Sequence, residues 1–297
     1  MKCDLCPRKC LVDRKKGEKG ICGQTENLKV ARAALHFWEE PCISGDAGSG
    51  AVFFSGCPLH CVFCQNENIA NGTVGKEISL ERLVDIFLEL QEKGANNINL
   101  VTPGHFVPQI VKALDQAKKE GLTLPVVYNT SSYETVDTIR MLDGYVDIYL
   151  PDFKYMSPVL SKKYSHAPDY AQVAKAAIAE MVRQTGKAVF VNGDEDNLIL
   201  RGTIVRHLTL PGCMGDSMQI LKYLHETYGD TIYISIMNQF TPLSNLEKYQ
   251  ELNRKITDEE YETLVDYAIE IGIENGFIQE GDTAEESFIP AFDCEGV

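Results

Sequence analysis

The sequence has no long apolar run. No hydrophobic stretch approaches the roughly 18 to 20 residues that a membrane-spanning helix needs, although the chain is 297 residues long. The first residues also lack the hydrophobic region of a secretory signal peptide. These two absences predict that the protein has no membrane partner and stays in the cytoplasm.

Basic residues are scarce as well. The chain has 28 Lys and Arg against 43 Asp and Glu, which gives a formal net charge of −15. Proteins that bind a phosphate backbone rely on clustered Lys and Arg, so this composition argues against nucleic acid as the main partner. The sequence shows no internal repeat and no low-complexity tract, and its length suits one α/β barrel.

Cysteine, by contrast, is abundant and unevenly placed. In a chain expected to stay inside the cell, ten cysteines are more often metal ligands than disulfide partners. Only Cys213 and Cys294 lie beyond residue 64. Cys42 has no cysteine close to it in sequence and is predicted to be structural.

Three cysteines follow a predicted buried strand at 51–56, where an apolar run ends in Ser-Gly. Cys57, Cys61 and Cys64 are separated by three and then two residues, and thiolates so spaced can converge on one soft-metal centre. With three protein ligands, a four-iron cluster keeps one iron free to bind a small molecule, which is the leading hypothesis. A zinc knuckle, a disulfide with a spare thiol, and unrelated buried cysteines are the alternatives.

A second group of cysteines opens the chain. Cys3, Cys6, Cys10 and Cys22 could close another metal site by themselves. So short a segment lacks the apolar content to fold alone, and a metal would supply the missing stabilisation. Zinc and a second iron–sulfur cluster both fit this ligand set. Four reduced thiols packed on the main body are the alternative.

Short apolar runs alternate with amphipathic segments along the rest of the chain. The predicted strands are 51–56, 98–102, 125–129, 146–152, 205–210 and 232–237. The predicted helices are 80–90, 105–120, 133–142, 168–185, 216–228 and 258–271, the first capped by Ser79 and ended by Gly94. This alternation indicates parallel strands joined by right-handed crossovers. The fold class predicted is α/β, a partial TIM-like (β/α)6 barrel over 51–297, preceded by a Cys-rich segment and linker over 1–50.

Polar or turn-forming residues recur where the predicted strands end. In barrels of this type, ligands are bound just past the carboxyl ends of the strands. The positions concerned are 102–105, 129–132, 151–154, 206–207 with 211–212, and 238–239. Their recurrence favours one shared site on the face that also carries the three-cysteine loop. His36, Glu39 and Glu40 either line this site or pack a linker.

The spacing of Cys57, Cys61 and Cys64, with the aromatic Phe63 before the last cysteine, resembles the signature of the radical S-adenosylmethionine (SAM) superfamily. The resemblance implies a 4Fe–4S cluster whose free iron is chelated by the amino and carboxylate groups of SAM. It also implies reductive cleavage of SAM to a 5′-deoxyadenosyl radical, with Phe63 near the adenine.

The stretch from about 51 to 240 is similar to the pyruvate formate-lyase activating enzymes, and more closely to an activating-enzyme-like group that begins with a Cys-rich segment. Segments 53–57, 64–66, 152–154 and 206–212 carry this similarity. It implies roles at SAM or substrate for the residues that follow: Thr102 and Gly104 at the amino group, Asn129 at the ribose, Lys154 near the carboxylate, and Arg206 and Gln239 towards the methionine or the substrate opening. A salt bridge at the barrel rim is the alternative for Lys154 and Arg206.

The predicted function is hydrogen abstraction by a radical SAM enzyme, with a glycyl-radical enzyme as one target. The activating enzymes have Gly-Gly-Glu where this chain has Thr-Pro-Gly-His at 102–105, so a peptide or small-molecule substrate stays open. His105 either contacts SAM or caps the following helix. The expected partner is a low-potential electron donor of the flavodoxin or ferredoxin type. An iron–sulfur redox protein without SAM chemistry and a zinc-stabilised scaffold are the competing classes.

Overall fold

The computed structural model describes residues 2–194, 197–242, 246–279 and 290–297. Within these ranges the strands are β1 Leu28–His36, β2 Ser49–Phe54, β3 Lys76–Ile78, β4 Ile98–Val101, β5 Val126–Thr130, β6 Ile148–Pro151, β7 Val189–Phe190, β8 Ile199–Leu208, β9 Tyr233–Met237 and β10 Gly276–Ile278. The helices are α1 Pro41–Ser44, α2 Glu67–Ala70, α3 Leu80–Glu92, α4 Val107–Lys119, α5 Val136–Arg140, α6 Pro158–Ser165, α7 Tyr170–Thr185, α8 Met214–Tyr228 and α9 Asp258–Glu270. No helix in the described ranges is long and apolar enough to cross a membrane.

Most of the strands form one parallel sheet. Strands β2, β4, β5, β6, β8, β9 and β10 are parallel neighbours in that order. Strand β1 pairs antiparallel with β2, and β3 pairs antiparallel with β1. Over the residues described, the sheet stays open, with β10 and β3 at its two ends. The predicted α/β partial barrel is therefore confirmed.

The alternation of side chains along β2 separates the packed outer face from the inner face. Val52 and Phe54 are buried in the cluster that includes Leu83 and Phe87 of α3. Phe53, between them, lies on the opposite face and borders a cavity. Strands with a period of two residues place successive side chains on opposite faces. The outer face of the sheet therefore packs against helices, while the inner face is left for a site.

Helix α1 fills part of the space enclosed by the inner face of the sheet. Its residues Cys42 and Ile43 are buried together with Val127, Leu150 and Ile204 from three strands. These residues make an apolar plug in the space that an open sheet leaves between its inward-facing side chains. The burial of Cys42 in this plug agrees with its predicted structural role.

Several elements differ from the sequence-based expectation. Strands β1, β3, β7 and β10 and helix α6 were not predicted, and the helix expected at 133–142 spans only Val136–Arg140. Ser132 adopts a left-handed backbone with φ of 61°, and the helix then begins after Thr135, whose side chain caps Thr138. The helix capped by Ser79 is present as predicted.

The two ends of the chain both pack onto the sheet. Residues 290–297 run beside β1, where the Ala33 N–H donates to the Glu295 carbonyl and the Cys294 N–H donates to the Ala31 carbonyl. The expected boundary at residue 50 falls inside β2, and β1 from the expected linker is part of the sheet. Residues 2–27 have no strand or helix apart from a single 3-10 turn at Arg14–Lys16.

Candidate functional site

A cavity of about 520 Å³ lies at the carboxyl ends of the parallel strands. Each group of strand-end residues that the sequence singled out, from β4 to β9, contributes at least one residue to the cavity wall. These residues are Thr102, Asn129, Asp152, Lys154, Arg206 and Gln239. The expectation of one shared site at this edge is met. His36, Glu39 and Glu40 also line the cavity, which answers the question that the sequence left open for them.

The three-cysteine loop forms one side of the cavity. Cys57, Cys61 and Cys64 all line it. The loop leaves β2 through Gly56, whose φ of 94° suits glycine and whose added Cβ would stand 2.5 Å from the Cys22 carbonyl oxygen. The hydroxyl of Ser165 donates a 2.9 Å hydrogen bond to the Cys61 sulfur.

Burial controls the protonation of the Cys57 and Cys64 thiols. Desolvation, together with the neighbouring Cys61, raises the pKa of Cys57 to about 11 and that of Cys64 to about 12. Lys154 opposes this shift at both sulfurs. A coordinating metal reverses the effect of burial, because metal-bound thiols are deprotonated.

The three-cysteine loop offers the ligand set of a four-iron cluster with one free iron. A four-iron cluster binds each cysteine to a different iron, so its ligands stand further apart than those of a single ion. Three thiols around one roomy cavity, with no fourth cysteine among its lining residues, match that requirement.

Lys154 and Asp152 form an ion pair beside the loop. The Lys154 Nζ lies 2.6 Å from Asp152 Oδ2, and the two side chains are 17% and 21% exposed. Burial alone would lower the pKa of Lys154, but Asp152 and the Cys61 sulfur outweigh it and raise that pKa. The lysine therefore keeps its positive charge next to the cysteines.

A second ion pair lies on the neighbouring strand β8, where Arg206 forms a parallel β-bridge with Asp152. Arg206 donates to both oxygens of Glu40, at 2.9 and 2.6 Å, and also to Glu39. Burial alone would raise the pKa of Glu40, but the guanidinium outweighs it and lowers that pKa. Two carboxylates share one guanidinium, so the group carries one net negative charge. Arg206 lines the cavity and forms a salt bridge, which was the alternative considered for it.

The remaining predicted residues differ in position. Phe63 is 6% exposed, packs edge-on against Phe240 and lines the cavity. Thr102, in a left-handed backbone with φ of 56°, and Asn129 lie side by side, because the Thr102 N–H donates to the Asn129 carbonyl. Gln239 accepts at its carbonyl from the side chain of Gln65, which ties the three-cysteine loop to the end of β9.

Two predicted contacts lie away from this cavity. Gly104 does not line it, since its Cα packs against the carboxylate of Glu134, which an added Cβ would meet at 2.9 Å. His105 is 5% exposed, and its Nε2 bonds to the Ser55 carbonyl at 2.7 Å. Both residues turn towards the interior because the chain enters a 3-10 turn at Gly104–Phe106 directly after the strand.

Sequence reasoning missed part of the lining. Trp38, Gln65, Asn66, Phe277, Ile278, Gln279 and Pro290 also border the cavity. Gln65 and Asn66 directly follow the last motif cysteine, which is the local signal that could have found them. Trp38 follows β1, and the remaining four come from β10 and the residues after it, whose short segments carry no clear periodic pattern.

The four N-terminal cysteines surround a second, much smaller cavity of about 20 Å³. Cys3, Cys6, Cys10 and Cys22 line it together with His105. The structure thus brings the predicted quartet together around one space. It also brings His105 to that space and away from the strand-end cavity.

Comparison with known proteins agrees with this geometry. Residues 51–199, half of the chain, match the sequence model of the radical SAM superfamily. An uncharacterized protein of Methanocaldococcus jannaschii is 26% identical over 274 residues, which cover 90% of this chain and 74% of that protein.

Solved structures share the fold at low identity. HydG, a maturase of the FeFe-hydrogenase, matches with a TM-score of 0.51 and 15% identity over 78% of this chain and 52% of HydG. Streptococcus suis SuiB bound to precursor peptide SuiA matches with a TM-score of 0.50 and 11% identity over 76% of this chain and 47% of SuiB. Methylornithine synthase (PylB) matches with a TM-score of 0.50 and 14% identity over 72% of this chain and 59% of PylB. This chain therefore spans about half of the length of these proteins.

The family match covers the three-cysteine loop and the strands that surround the cavity, and members of this family bind a 4Fe–4S cluster and SAM. The chain belongs to the radical SAM superfamily and is a radical SAM enzyme.

Proposed function

We propose that Cys57, Cys61 and Cys64 hold the 4Fe–4S cluster and that SAM occupies the 520 Å³ cavity beside it. The observation that carries this proposal is that all three thiols line the same cavity as the strand-end polar residues. When bound, these cofactors supply one-electron cleavage of the SAM sulfonium and hence a 5′-deoxyadenosyl radical. The electron comes from a low-potential donor of the flavodoxin or ferredoxin type.

The Lys154–Asp152 pair is suited to the amino-acid end of SAM. An ammonium on a flexible stem can donate to a carboxylate while keeping its partner, because it has three N–H donors. Asp152 Oδ2 accepts from Lys154, and the carboxylate keeps capacity for the ammonium of the ligand. The position of this pair beside the three-cysteine loop supports a role in holding the methionine carboxylate and amine of SAM.

The end of the neighbouring strand β5, together with Phe63 of the three-cysteine loop, is suited to the nucleoside end of SAM. Asn129 lies 3.4 Å from Glu39 through its side-chain amide, and Glu39 also accepts from Asn99 at 2.9 Å. A carboxylate and an amide side by side offer acceptors and a donor for ribose hydroxyls. The buried aromatic Phe63 offers an apolar face for adenine. Thr102 completes this wall next to Asn129.

We further infer that the enzyme belongs to the pyruvate formate-lyase activating-enzyme-like group and abstracts hydrogen from a glycine of a partner protein. The motifs at 53–57, 152–154 and 206–212 support this assignment. Trp38 and Ile278, which border the cavity, are 62% and 50% exposed. Such a rim suits contact with a polypeptide.

A peptide side chain or a small molecule is the second candidate substrate. The observation that favours it is the strand end at 102–105, where Thr-Pro-Gly-His stands in place of the Gly-Gly-Glu of the activating enzymes. Gly104 also packs against Glu134 and does not line the cavity. The contact to the SAM amine is then built from Thr102 and Asp152.

The test uses reconstituted protein under anaerobic conditions with SAM, a reductant and a candidate glycyl-radical protein. We expect 5′-deoxyadenosine by chromatography and an organic radical on the partner by electron paramagnetic resonance. A Cys61→Ala variant should lose both signals, and Cys213→Ser, outside the cavity, should keep both. Nucleoside formation without a partner radical would favour the second candidate, and no nucleoside at all would overturn the proposal.

A further inference from the structure

The N-terminal segment is organised around its four cysteines. Cys3, Cys6, Cys10 and Cys22 line one cavity of about 20 Å³. A water-sized sphere needs roughly 10–15 Å³ of such volume. The space therefore fits a single ion, whereas a four-iron cluster with its sulfides is far larger.

The backbone is folded tightly around the sulfurs. Lys9 and Leu11 adopt left-handed φ angles of 42° and 55°, which cost free energy in residues other than glycine. The Ile21 N–H donates to the Cys10 sulfur at 3.3 Å. A Cβ added to Gly20 would stand 2.8 Å from that sulfur. A segment with so little regular structure needs a strong local interaction to hold this conformation.

His105 supplies a further donor on the wall of this cavity. Its Nε2 faces the Ser55 carbonyl, which can only accept, so Nε2 carries the proton. With the proton on Nε2, Nδ1 carries a free lone pair. That Nδ1 is buried, and no described residue serves as its hydrogen-bond partner. A neutral imidazole nitrogen fixed through its other nitrogen is the usual form of a histidine metal ligand.

We propose that this cavity is a zinc site, in which His105 Nδ1 and thiolates of the Cys3, Cys6, Cys10 and Cys22 quartet bind one Zn²⁺. Zinc takes four nitrogen or sulfur ligands in a tetrahedral arrangement, and five such donors surround the space. No three of the described donors are placed to hold an ion already. Binding one ion therefore requires the cysteine side chains to change rotamer.

The proposed zinc site lies next to the three-cysteine loop, which indicates a structural role. The N-terminal segment contacts the three-cysteine loop through Arg8, which donates to the Pro58 carbonyl, and through the Ile21 carbonyl, which bonds to His60. His105 itself bonds to Ser55, two residues before Cys57. A zinc ion here would hold the segment against the strand end that leads into the cluster loop. It is a structural metal, distinct from the cluster.

Metal analysis of anaerobically purified protein tests the proposal. We expect one zinc per chain in the wild type, in the Cys57→Ala/Cys61→Ala/Cys64→Ala variant, and in the Cys213→Ser control. Zinc should be lost in Cys3→Ser/Cys6→Ser. Iron with sulfide retained in the triple-alanine variant, or no metal in it, would overturn the zinc assignment. Because zinc is read in that variant, failure of this proposal and failure of the cluster proposal are distinguishable.

The role of His105 is tested on the unmodified chain. Zinc-edge X-ray absorption of the wild-type protein should show imidazole nitrogen together with sulfur in the first coordination shell. Four sulfur ligands and no nitrogen would overturn the assignment of His105 as a ligand. This measurement needs no substitution in the core and so does not depend on the folding of a variant.

Discussion

Lys154 Nζ lies 2.6 Å from Asp152 Oδ2 at the wall of the cavity that Cys61 also lines. Both residues lie in the segment that directly follows β6, so the end of this strand positions the two charges next to each other. The pair keeps a positive charge beside the cysteines and a carboxylate next to it. This relationship leads to the first of five predictions.

Replacing Lys154 with Met should weaken SAM binding. Loss of a hydrogen bond to a charged group costs about 1.5–3 kcal/mol, which corresponds to a rise of about 10- to 100-fold in KM for SAM. Stability should also fall, by about 1–2 kcal/mol, since the partly buried Asp152, 21% exposed, loses its cation. The Asp152→Asn/Lys154→Met variant should regain most of the stability but not the affinity. An unchanged KM in Lys154→Met would contradict the proposed carboxylate contact.

The buried Arg206–Glu40 pair predicts a pH dependence of stability. The folded-state pKa of Glu40 lies below its ordinary value of 4.5, so its stabilising contribution is complete above that value. The contribution is lost as the pH falls through the lower, folded-state pKa. Wild-type protein should therefore lose more stability on acidification below pH 4.5 than Glu40→Gln does. Unfolding midpoints measured across this range check the difference, and parallel curves would contradict it.

Gly104→Ala should reduce stability and leave SAM binding unchanged. The new Cβ would meet the Glu134 carboxylate, which Tyr128 holds in place with a 2.7 Å hydrogen bond. Overpacking of this kind costs about 1–3 kcal/mol. Gly215→Ala, in α8 with no atom within 4 Å, is the matched control and should be neutral or slightly stabilising. A large rise in KM for SAM in Gly104→Ala would contradict this prediction and indicate that Gly104 contributes to SAM binding.

Gly56→Ala should lower cluster content. The substitution adds left-handed strain and a close contact with the Cys22 carbonyl at 2.5 Å, which displaces the start of the three-cysteine loop. Gly94→Ala, with a φ of 81° and nothing within 4 Å, carries the strain alone and should cost about 1–2 kcal/mol. Iron per chain is the readout. Equal iron in the two variants would show that the contact at Gly56 does not matter to the loop.

Ser165→Ala should make the reduction potential of the cluster more negative. The Ser165 hydroxyl donates to the Cys61 sulfur at 2.9 Å, and hydrogen bonds to cluster sulfurs stabilise the more negatively charged reduced state. The control is Ser161→Ala, in the same helix, whose hydroxyl donates to the Pro158 carbonyl. A potentiometric titration compares the two. A reduction potential in Ser165→Ala that equals that of the wild type and of Ser161→Ala would count against Cys61 as a cluster ligand.

The elements predicted well are those whose signals are local. The helix at Leu80–Glu92 begins after its Ser79 cap, and its apolar face recurs at helical spacing. Strand β1 was missed because its partner, β2, is an antiparallel neighbour that the alternation of strands and helices does not imply. Strand β10 has three residues, too few to show a period.

The candidate site divides in the same way. Thr102, Asn129 and Lys154 were found because parallel strands bring their carboxyl ends to one edge, whatever the details of packing. Glu39 and Glu40 stayed undecided because nothing near them in sequence marks a site. Gly104 was misplaced because the 3-10 turn after β4 turns it inward, which the strand-end rule does not anticipate.

The sequence by itself determined the spacing of Cys57, Cys61 and Cys64 and the order of strands and helices, since both depend on neighbours along the chain. Only the tertiary structure decided which distant groups meet. Arg206 reaches Glu40 across 166 residues, and His105 turns from the strand-end cavity to the N-terminal cysteines. Such contacts follow from the arrangement of strands in the open sheet and the docking of loops, whose geometry depends on packing over the whole chain.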